Sequence, residues 1–197
     1  MNKKEILDHL IDKHDGVLVT GDAVEAGISK TYLMEYVKKM NMERVSHGVY
    51  LSEDAWADYM YLLQLRYPQT IFSHETALYL LGLAEREPLQ FTLTAKAGYH
   101  AKSMAEQNIK VYRIKPELFD LGVIEVVSPA GHKVKTYNTE RTICDLLRNR
   151  SNVEIQDLQS ALKEYVRSKE KNIPQLMRYA KELRVEKLMR QYLEVLL

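Results

Sequence analysis

The chain contains 197 residues, of which 46% are hydrophobic and 28% are charged, and its formal net charge at pH 7 is +1. This composition supports a buried core and excludes a chain that is disordered throughout, while the near-neutral charge means that a nucleic-acid binder would need a local basic patch. Cys144 is the only cysteine in the sequence, which excludes an internal disulfide and a cysteine-based zinc site.

We expect neither a membrane span nor an export signal from this sequence. No apolar run approaches the roughly 20 residues that are needed to cross a bilayer. The first residues, Met1-Asn2-Lys3-Lys4-Glu5, become acidic at once instead of leading into the apolar segment of a signal peptide. The sequence therefore predicts a cytoplasmic protein without a membrane partner.

The N-terminal segment shows helical periodicity broken by turn residues. An apolar stripe at helical spacing predicts a first helix over Lys3–Lys13. Val17–Val19 is predicted to be extended, and Thr20 or Asp22 is predicted to cap a brief second helix. Gly27 is predicted to end that helix, because glycine readily adopts the left-handed conformation.

A third helix is predicted over Lys30–Met40, with Ser29 as its cap. Its predicted core positions recur at three- and four-residue spacing and are Leu33, Tyr36, Val37 and Met40. The opposite side presents Lys30, Thr31, Met34, Glu35 and Lys38. A short helix, a glycine turn and an amphipathic helix with a polar amino end suit docking in the major groove of DNA, although small helical bundles without a ligand share the same spacing.

Two strand-like runs, Met42–Val45 and Val49–Leu51, follow the third helix and are joined by Ser46-His47-Gly48. The glycine can take the positive φ that a tight hairpin needs. The hairpin directly follows the candidate recognition helix, so we interpret it as the wing of a winged helix-turn-helix rather than as a solvated edge hairpin. A wing of this kind contacts phosphates or the minor groove.

Charge within the N-terminal segment is segregated. Residues 1–51 carry seven basic and eight acidic side chains, a net charge of 7 − 8 = −1. Most of the acids belong to the first two predicted helices, whereas the bases include four that fall on the third helix and the wing. The predicted DNA-contacting residues are Ser29, Lys30, Thr31, Tyr32, Lys38, Lys39, Arg44, Ser46, His47 and Tyr50.

A domain boundary is predicted near Ser52, which divides the chain into residues 1–52 and 53–197. The second part is predicted to begin with a linking helix over Asp54–Arg66, with Trp56, Tyr59, Met60 and Leu63 on one side. The predicted strands that follow are Thr70–Phe72, Gln90–Thr94, Lys110–Ile114, Val123–Ser128 and Lys133–Tyr137. The predicted helices are a short one from Ser73 to Gly82, then Thr139–Leu147, Glu154–Val166, Pro174–Leu183 and Val185–Leu196. This order predicts an α+β protein: a winged helix-turn-helix, then a larger mixed α/β domain with a C-terminal helical region.

Three motifs occur in a distinctive order. They are Arg44-Val45 with Gly48-Val49-Tyr50, then Ser73-His74-Glu75-Thr76-Ala77 with Gly82-Leu83, then Glu140-Arg141-Thr142-Ile143-Cys144-Asp145. Their order and spacing resemble the AbiEi family of type IV antitoxins, from abortive-infection systems that give phage resistance. The resemblance spans residues 44–145, and the last helices add no distinctive motif.

The resemblance implies an antitoxin that represses its own operon by binding inverted repeats in promoter DNA. It also implies that the larger domain counteracts a nucleotidyltransferase toxin, in general without a stable complex. One departure concerns His47, because relatives often carry arginine at this wing position. A neutral imidazole would weaken phosphate binding at pH 7.

The antitoxin-domain motif residues are Ser73, His74, Glu75, Arg141 and Asp145. Helix chemistry alone also accounts for them. Ser73 can cap a helix with Glu75 in its first turn, and His74 is interpreted as a helix-end residue rather than as a ligand or base. Arg141 can pair with Asp145 four residues on, with a buried Arg141 that organises the domain as the alternative.

The remaining charged segments leave alternatives open. Basic and aromatic residues between Lys96 and Lys115 fit either a phosphate-binding segment or an exposed loop. The stretch from Arg148 to Leu197 has eleven basic and seven acidic residues, 11 − 7 = +4, which fits a solvated face or a nucleic-acid patch.

No phosphate loop, hydrolase motif or metal-ligand cluster is present in the sequence, so we predict no enzymatic activity, catalytic residue, metal or cofactor. The alternative to a repressor is a winged-helix interaction module that binds protein or nucleotide without repressor activity.

Overall fold

The computed structural model describes residues 1–99, 104 and 108–196. Two compact units are present: Met1–Pro68 together with residues 130–132, and Gln69–Pro129 together with Lys133–Leu197. The first unit therefore extends to Pro68 and does not end at the predicted boundary near Ser52. Residues 100–103 and 105–107 of the predicted basic segment, among them His100 and Lys102, lie outside the described residues.

The first unit contains four helices and three strands among its described residues. In chain order they are α1 (Lys3–Lys13), β1 (Val17–Val19), α2 (Thr20–Glu25), α3 (Lys30–Lys39), β2 (Glu43–Ser46), β3 (Val49–Leu51) and α4 (Tyr59–Arg66). The strands form an antiparallel sheet in the order β1-β3-β2. α1 begins at a capping box, in which the Asn2 side chain accepts from the Glu5 backbone and Glu5 returns the bond, so two free backbone donors are satisfied.

Side chains from α1, α2, α3 and β3 form the principal core of the first unit. Its buried members are Leu7, Leu18, Ala23, Ile28, Leu33, Tyr36, Val37, Met42 and Tyr50. α2 begins without a side-chain cap, so neither Thr20 nor Asp22 has the predicted capping role. Gly27 ends it with φ +83°, as predicted.

α4 explains why the first unit is longer than predicted. Leu62 of α4 is buried together with Val17, Val49 and Leu51, and Leu65 packs against the same cluster. α4 is therefore part of the apolar core beneath the small sheet, not a linker.

The start of α4 also differs from its prediction. The helix begins after Asp58, whose carboxylate accepts from the backbone N–H groups of Met60 and Tyr61 at 3.1 Å each. Trp56 therefore precedes the helix and is 89% exposed, so it does not share a helix side with Met60 as predicted, and Tyr59 is 73% exposed.

The second unit is built on a mixed five-stranded sheet with the strand order β6-β5-β4-β8-β7. The strands are β4 (Thr70–Phe72), β5 (Phe91–Lys96), β6 (Ile109–Ile114), β7 (Val123–Val127) and β8 (Lys133–Tyr137). β4 pairs antiparallel with β5 and parallel with β8, β5 pairs parallel with β6, and β7 pairs antiparallel with β8. All five strands were predicted, with differences of one or two residues at some ends.

Helices cover the apolar surface of the second unit. They are α5 (His74–Leu80), α6 (Pro116–Phe119), α7 (Thr139–Arg148), α8 (Ile155–Arg167), α9 (Ile173–Glu182) and α10 (Glu186–Leu196). α7 is buried along its length from Glu140 to Leu147, with Ile143, Cys144 and Leu146 in the core. The short α6 was not predicted, since four residues carry no recognisable periodicity.

Helices and strands are mixed in this way along the chain, which confirms the predicted α+β class. Within the part of the chain that the structure describes, no helix combines the length and apolar character that a membrane span requires.

Candidate nucleic-acid interface

The amino end of α3 is presented to solvent by the turn before it. The Ser29 hydroxyl accepts from the Tyr32 backbone N–H at 3.3 Å, which confirms the predicted cap. Leu33, Tyr36 and Val37 face the core as predicted. Met40 follows the end of the helix and is 45% exposed, so its predicted core position is wrong. Because the helix buries one face only, Ser29, Lys30 and Thr31 remain exposed.

The β2–β3 hairpin is held beside the start of α2. The Thr20 backbone N–H donates to the Gly48 carbonyl at 2.7 Å. Gly48 has φ +76°, and a Cβ built on it would lie 3.4 Å from Thr20 Oγ1. A larger residue would therefore be strained by backbone conformation and crowded by α2. The register of the hairpin shifts between Arg44 and Ser46, which places an irregularity at Val45.

Arg44 is oriented by the hairpin itself. Its Nη2 lies 3.0 Å from His47 Nδ1, and its Nε donates to the Ser46 carbonyl at 3.4 Å. A guanidinium can only donate, so His47 Nδ1 is the acceptor in this contact and carries no proton. His47 therefore contributes to this surface by holding Arg44 as well as by its own polarity.

A groove of about 420 Å³ lies between α3, the hairpin, the start of α2 and the end of α4. We call it the α3–hairpin groove. Its basic lining residues are Lys30, Arg44 and Arg66, with His47 beside them. Among the described residues, those that line it include no carboxylate. Leu33, Val49 and Leu65 supply apolar wall, and low-dielectric walls strengthen the field of nearby charges.

The structure brings together only some of the predicted contact residues. Lys30, Arg44, His47 and Tyr50 line the α3–hairpin groove. Lys38 and Lys39 are exposed at the other end of α3. Ser29 and Thr31 are exposed beside Lys30, at the amino end of the helix.

Three predicted contact residues are wholly or partly buried. Tyr50 is 5% exposed and its hydroxyl donates to Met34 Sδ at 3.3 Å, so it supports the groove from the core. The Ser46 Oγ is buried. Tyr32 packs on the core cluster, with Lys3 Nζ 5.5 Å from its ring centroid. Tyr50 is therefore buried, Ser46 and Tyr32 are half-buried, and their contacts with DNA stay a prediction.

Sequence reasoning missed Arg66. This residue ends α4 and is half-buried, with its guanidinium carbon 5.1 Å from the Tyr67 ring centroid. The predicted boundary near Ser52 separated it from the DNA-binding segment. The apolar residues of α4 are the signal that could have assigned this helix to the first unit, because they can pack on the apolar strands of the small sheet.

The second predicted motif is buried in the other unit. His74 is 1% exposed and has φ +49°, a conformation that is uncommon for a residue with a Cβ. Its Nδ1 lies 3.0 Å from Ser73 Oγ, and its Nε2 accepts from Asn149 Nδ2 at 3.0 Å. The ring stacks on Tyr112 with centroids 3.5 Å apart. His74 begins α5 as predicted, and it is also a fixed core residue.

Burial and nearby cations control the protonation of His74. Burial, followed by the charges of Lys110, Arg141 and Arg148, lowers the pKa of His74 to about 3. The contact with Asn149 agrees with this, because an amide N–H can only donate and Nε2 must then be unprotonated. His74 is therefore neutral at pH 7.

The other residues of this motif join α5 to the sheet. The Thr76 backbone N–H donates to Thr92 Oγ1 at 3.0 Å, and the Thr92 backbone N–H donates to Thr76 Oγ1 at 2.8 Å. Ser73 occupies the cap position, but its side chain makes no capping bond and contacts His74 instead. The prediction of Ser73 as a side-chain cap is therefore wrong.

Glu75 is half-buried beside β6. Its Oε1 lies 3.9 Å from Lys110 Nζ, and Lys110 also donates to the Asn152 carbonyl at 2.7 Å. Burial raises the pKa of Glu75, and Lys110 opposes that rise. The pair links α5 to β6 at the edge of the unit.

Arg141 and Asp145 form a buried ion pair on α7. Arg141 is 0% exposed, and its Nε donates to Asp145 Oδ2 at 2.9 Å. Its Nη1 donates to the carbonyls of Leu118 and Leu121 at 2.8 and 2.7 Å. Burial raises the pKa of Asp145, and the adjacent guanidinium opposes the rise. The predicted pairing of Arg141 with Asp145 is thus confirmed, and the burial of Arg141 agrees with the alternative of a buried residue that organises its domain.

The described residues contain no group of three or more histidine, cysteine, aspartate or glutamate side chains arranged to hold a metal ion. Cys144 is buried in α7, and burial raises the pKa of its thiol.

Comparison with known proteins finds similarity among solved structures. No model of a protein family matches the chain, and no curated protein matches it. Its fold is similar to that in the crystal structure of the RV2827C protein from Mycobacterium tuberculosis, with a TM-score of 0.59 and 15% sequence identity. The match covers 90% of this chain and 70% of that one. At this identity the similarity concerns the fold alone.

Proposed function

We propose that the first unit is a winged helix-turn-helix that binds operator DNA, and that the chain is an autorepressing antitoxin. The observation that carries the DNA-binding proposal is the α3–hairpin groove, where Lys30 and Arg44 meet beside the exposed amino end of α3. In this interpretation, α3 enters the major groove of the DNA and the hairpin is the wing. The sheet order β1-β3-β2, with the hairpin directly after α3, agrees with that arrangement.

The distribution of charge supports DNA over a generic partner. Cationic side chains from separate elements share one groove, while Ser29 and Thr31 offer hydroxyls beside it. Phosphate contacts supply affinity and position the protein, and polar side chains at the end of a recognition helix read base edges. Pairing of two copies on an inverted repeat would add specificity, because a single module of this size covers a small interface.

The antitoxin part of the proposal rests on the resemblance to the AbiEi family. The motifs around Ser73 and Arg141 lie in the packed interior of the second unit. We therefore interpret them as residues that build the antitoxin domain rather than as groups that touch a toxin or a substrate. The partner proposed is a nucleotidyltransferase toxin, without a stable complex, and no catalytic role is assigned to this chain.

Operator binding can be tested with a duplex from the DNA upstream of the protein's own gene. We expect Lys30→Ala and Arg44→Ala each to lower affinity about tenfold at low salt, because each removes a cation from the groove. Lys13→Ala is the matched control, since Lys13 is exposed on α1 and does not line the groove. Absence of binding by the wild-type protein at low salt would overturn the DNA-binding proposal.

The antitoxin activity needs its own measurement. The proposal predicts that a nucleotidyltransferase toxin is encoded beside this gene. Co-expression of the wild-type chain should restore the growth of cells that express this toxin, and the Lys30→Ala and Arg44→Ala variants should restore it equally well. Growth that stays arrested with the wild-type chain would overturn the antitoxin proposal while leaving operator binding intact.

One observation favours the alternative of an interaction module. An apolar groove of about 490 Å³ lies between α8 and α10, with Leu162, Leu188 and Val195 among its lining residues, and Val195 is 84% exposed. Exposed apolar surface of this kind occurs at protein interfaces. A stable complex with the neighbouring gene product, combined with no affinity for DNA, would favour that alternative.

A further inference from the structure

We propose that Arg66 at the end of α4 binds a backbone phosphate of DNA in the α3–hairpin groove, together with Lys30 and Arg44. This inference rests on the proposed function, and it assigns a contact outside both the recognition helix and the wing. The residue is separated from the hairpin in sequence, so the fold and not the motif places it at the interface.

Three cations reach the groove from three elements. Lys30 comes from the first turn of α3, Arg44 from β2 and Arg66 from the last turn of α4. Within the described part of the chain, no carboxylate forms an ion pair with any of the three. Like charges around one concave surface repel one another, and an anion that enters the groove relieves that repulsion.

Arg66 is held in place before any ligand arrives. Its side chain is half-buried and lies over the Tyr67 ring, with 5.1 Å between the guanidinium carbon and the ring centroid. Tyr67 itself is 4% exposed, so the surface beneath the guanidinium is fixed. A guanidinium ordered in this way loses little conformational entropy on binding a phosphate, which it can contact through two parallel N–H groups.

The position of Arg66 favours a phosphate over a base edge. Lys30 and Thr31 are exposed at the amino end of α3, whereas Arg66 is half-buried and lines the groove. A group that enters the groove can therefore reach Arg66. A phosphodiester group has a negative charge, which the three cations in the lining favour.

A phosphate could come from DNA or from a free nucleotide, and the proposal commits to DNA. The exposed polar end of α3 adjoins the groove and offers a duplex further contacts. A mononucleotide would contact the groove but not the exposed end of α3. Competition between AMP and the duplex distinguishes these two sources. A groove built for free nucleotides would bind AMP in the wild-type protein and would lose this binding in the Arg66→Ala variant.

The test measures duplex binding over a series of salt concentrations. The probes are a duplex from DNA upstream of the protein's own gene and a scrambled duplex of equal length and composition. The proteins are the full-length wild type, Arg66→Ala, Arg66→Lys and the control Lys13→Ala. Thermal unfolding of each variant shows whether the fold is retained.

We expect Arg66→Ala to weaken binding to both duplexes by the same factor, about tenfold at low salt, since a phosphate contact carries no sequence information. The slope of log affinity against log salt should become about one unit shallower, which corresponds to one phosphate contact. Arg66→Lys should keep the wild-type slope, because it keeps the charge. Lys13→Ala should match the wild type.

An unchanged slope in Arg66→Ala would overturn the inference while leaving the DNA-binding proposal intact. A loss of affinity that is confined to the protein's own upstream duplex would also overturn the inference, because it would indicate that Arg66 recognises a base. Binding of AMP that Arg66→Ala abolishes, with duplex binding unaffected, would assign the groove to a free nucleotide. Failure of the wild-type protein to bind any duplex would instead overturn the proposed function itself.

Discussion

The basic residues around the α3–hairpin groove and the motif residues of the second unit contrast in their surroundings. Lys30 and Arg44 are exposed, and Arg44 forms hydrogen bonds to Ser46 and His47 of its own hairpin. His74 and Arg141 are fully enclosed and bonded to several groups. Exposed cations without acidic partners are available to a ligand, whereas enclosed and bonded ones hold the fold together.

The difference matters for reading a motif. Histidine, glutamate, arginine and aspartate are residues of active sites, yet in the second unit they link helices to strands and loops. Arg141 ties α7 to the carbonyls of Leu118 and Leu121, and His74 bridges Ser73 to Asn149. A motif made of chemically capable side chains can therefore mark a fold rather than a reaction.

The largest expected effect tests the structural role of Arg141. Arg141→Leu should lower the free energy of unfolding by about 3 to 5 kcal/mol, because it leaves the buried Asp145 carboxylate without its partner. Arg44→Leu, in the exposed hairpin, should change it by less than about 0.5 kcal/mol. Chemical denaturation of both variants measures the contrast directly.

A double variant separates the ion pair from the rest of the network. Arg141→Leu with Asp145→Leu should recover about 1 to 2 kcal/mol of the loss, since no buried charge then lacks a partner. The carbonyls of Leu118 and Leu121 still lose their donor, so recovery should be incomplete. If Arg141→Leu alone lowered the free energy of unfolding by less than about 1 kcal/mol, Arg141 would contribute no more than an ordinary surface ion pair. The contrast between enclosed and exposed cations would then fail.

The next effect concerns pH and His74. Its pKa is about 3 in the fold, lowered chiefly by burial, against an ordinary value of about 6.5 in the unfolded chain. Between these values the unfolded state binds the extra proton, so this contribution to stability is complete above about pH 6.5 and is lost as the pH falls toward 3. From pH 7 to pH 5 the loss should be about 2 kcal/mol.

His74→Asn is the matched variant, because asparagine does not titrate and tolerates the left-handed backbone at this position. It should be less stable than the wild type at pH 7, since it lacks the stack on Tyr112. Its stability should nevertheless fall less between pH 7 and pH 5, as measured by urea denaturation at each pH. Equal slopes in the two proteins would show that His74 is not held neutral by burial.

Periodicity and turn residues predicted the elements but not the contacts between distant segments. Leu33, Tyr36 and Val37 repeat at helical spacing and are buried, and Gly48 has the expected positive φ. Trp56 also fitted a helical stripe, but Asp58 caps the helix later and leaves it in solvent. A local cap decided that position, and periodicity does not report it.

Only part of the candidate site was predicted, because a local pattern does not report contacts between distant segments. Lys30, Arg44 and His47 are close in sequence to the motif that indicated a winged helix, so local reasoning found them. Arg66 joins them through packing of α4 on the small sheet, and Tyr50 turns inward because β3 is buried. Both outcomes depend on tertiary contacts that a local pattern does not contain.

The smallest expected effect refines the account of His47. The sequence suggested that a neutral imidazole at this position weakens the wing, whereas its Nδ1 lies 3.0 Å from Arg44 Nη2 and can hold that cation in place. His47→Ala should weaken binding to the upstream duplex about threefold, the scale of one exposed hydrogen bond, and leave the salt dependence unchanged because no charge is removed. His47→Asn should stay within about twofold of the wild type, since its Oδ1 can accept from Arg44 in the same way. A shallower salt slope in His47→Ala would show that the imidazole acts by charge, and equal losses in the two variants would show that the acceptor does not position Arg44.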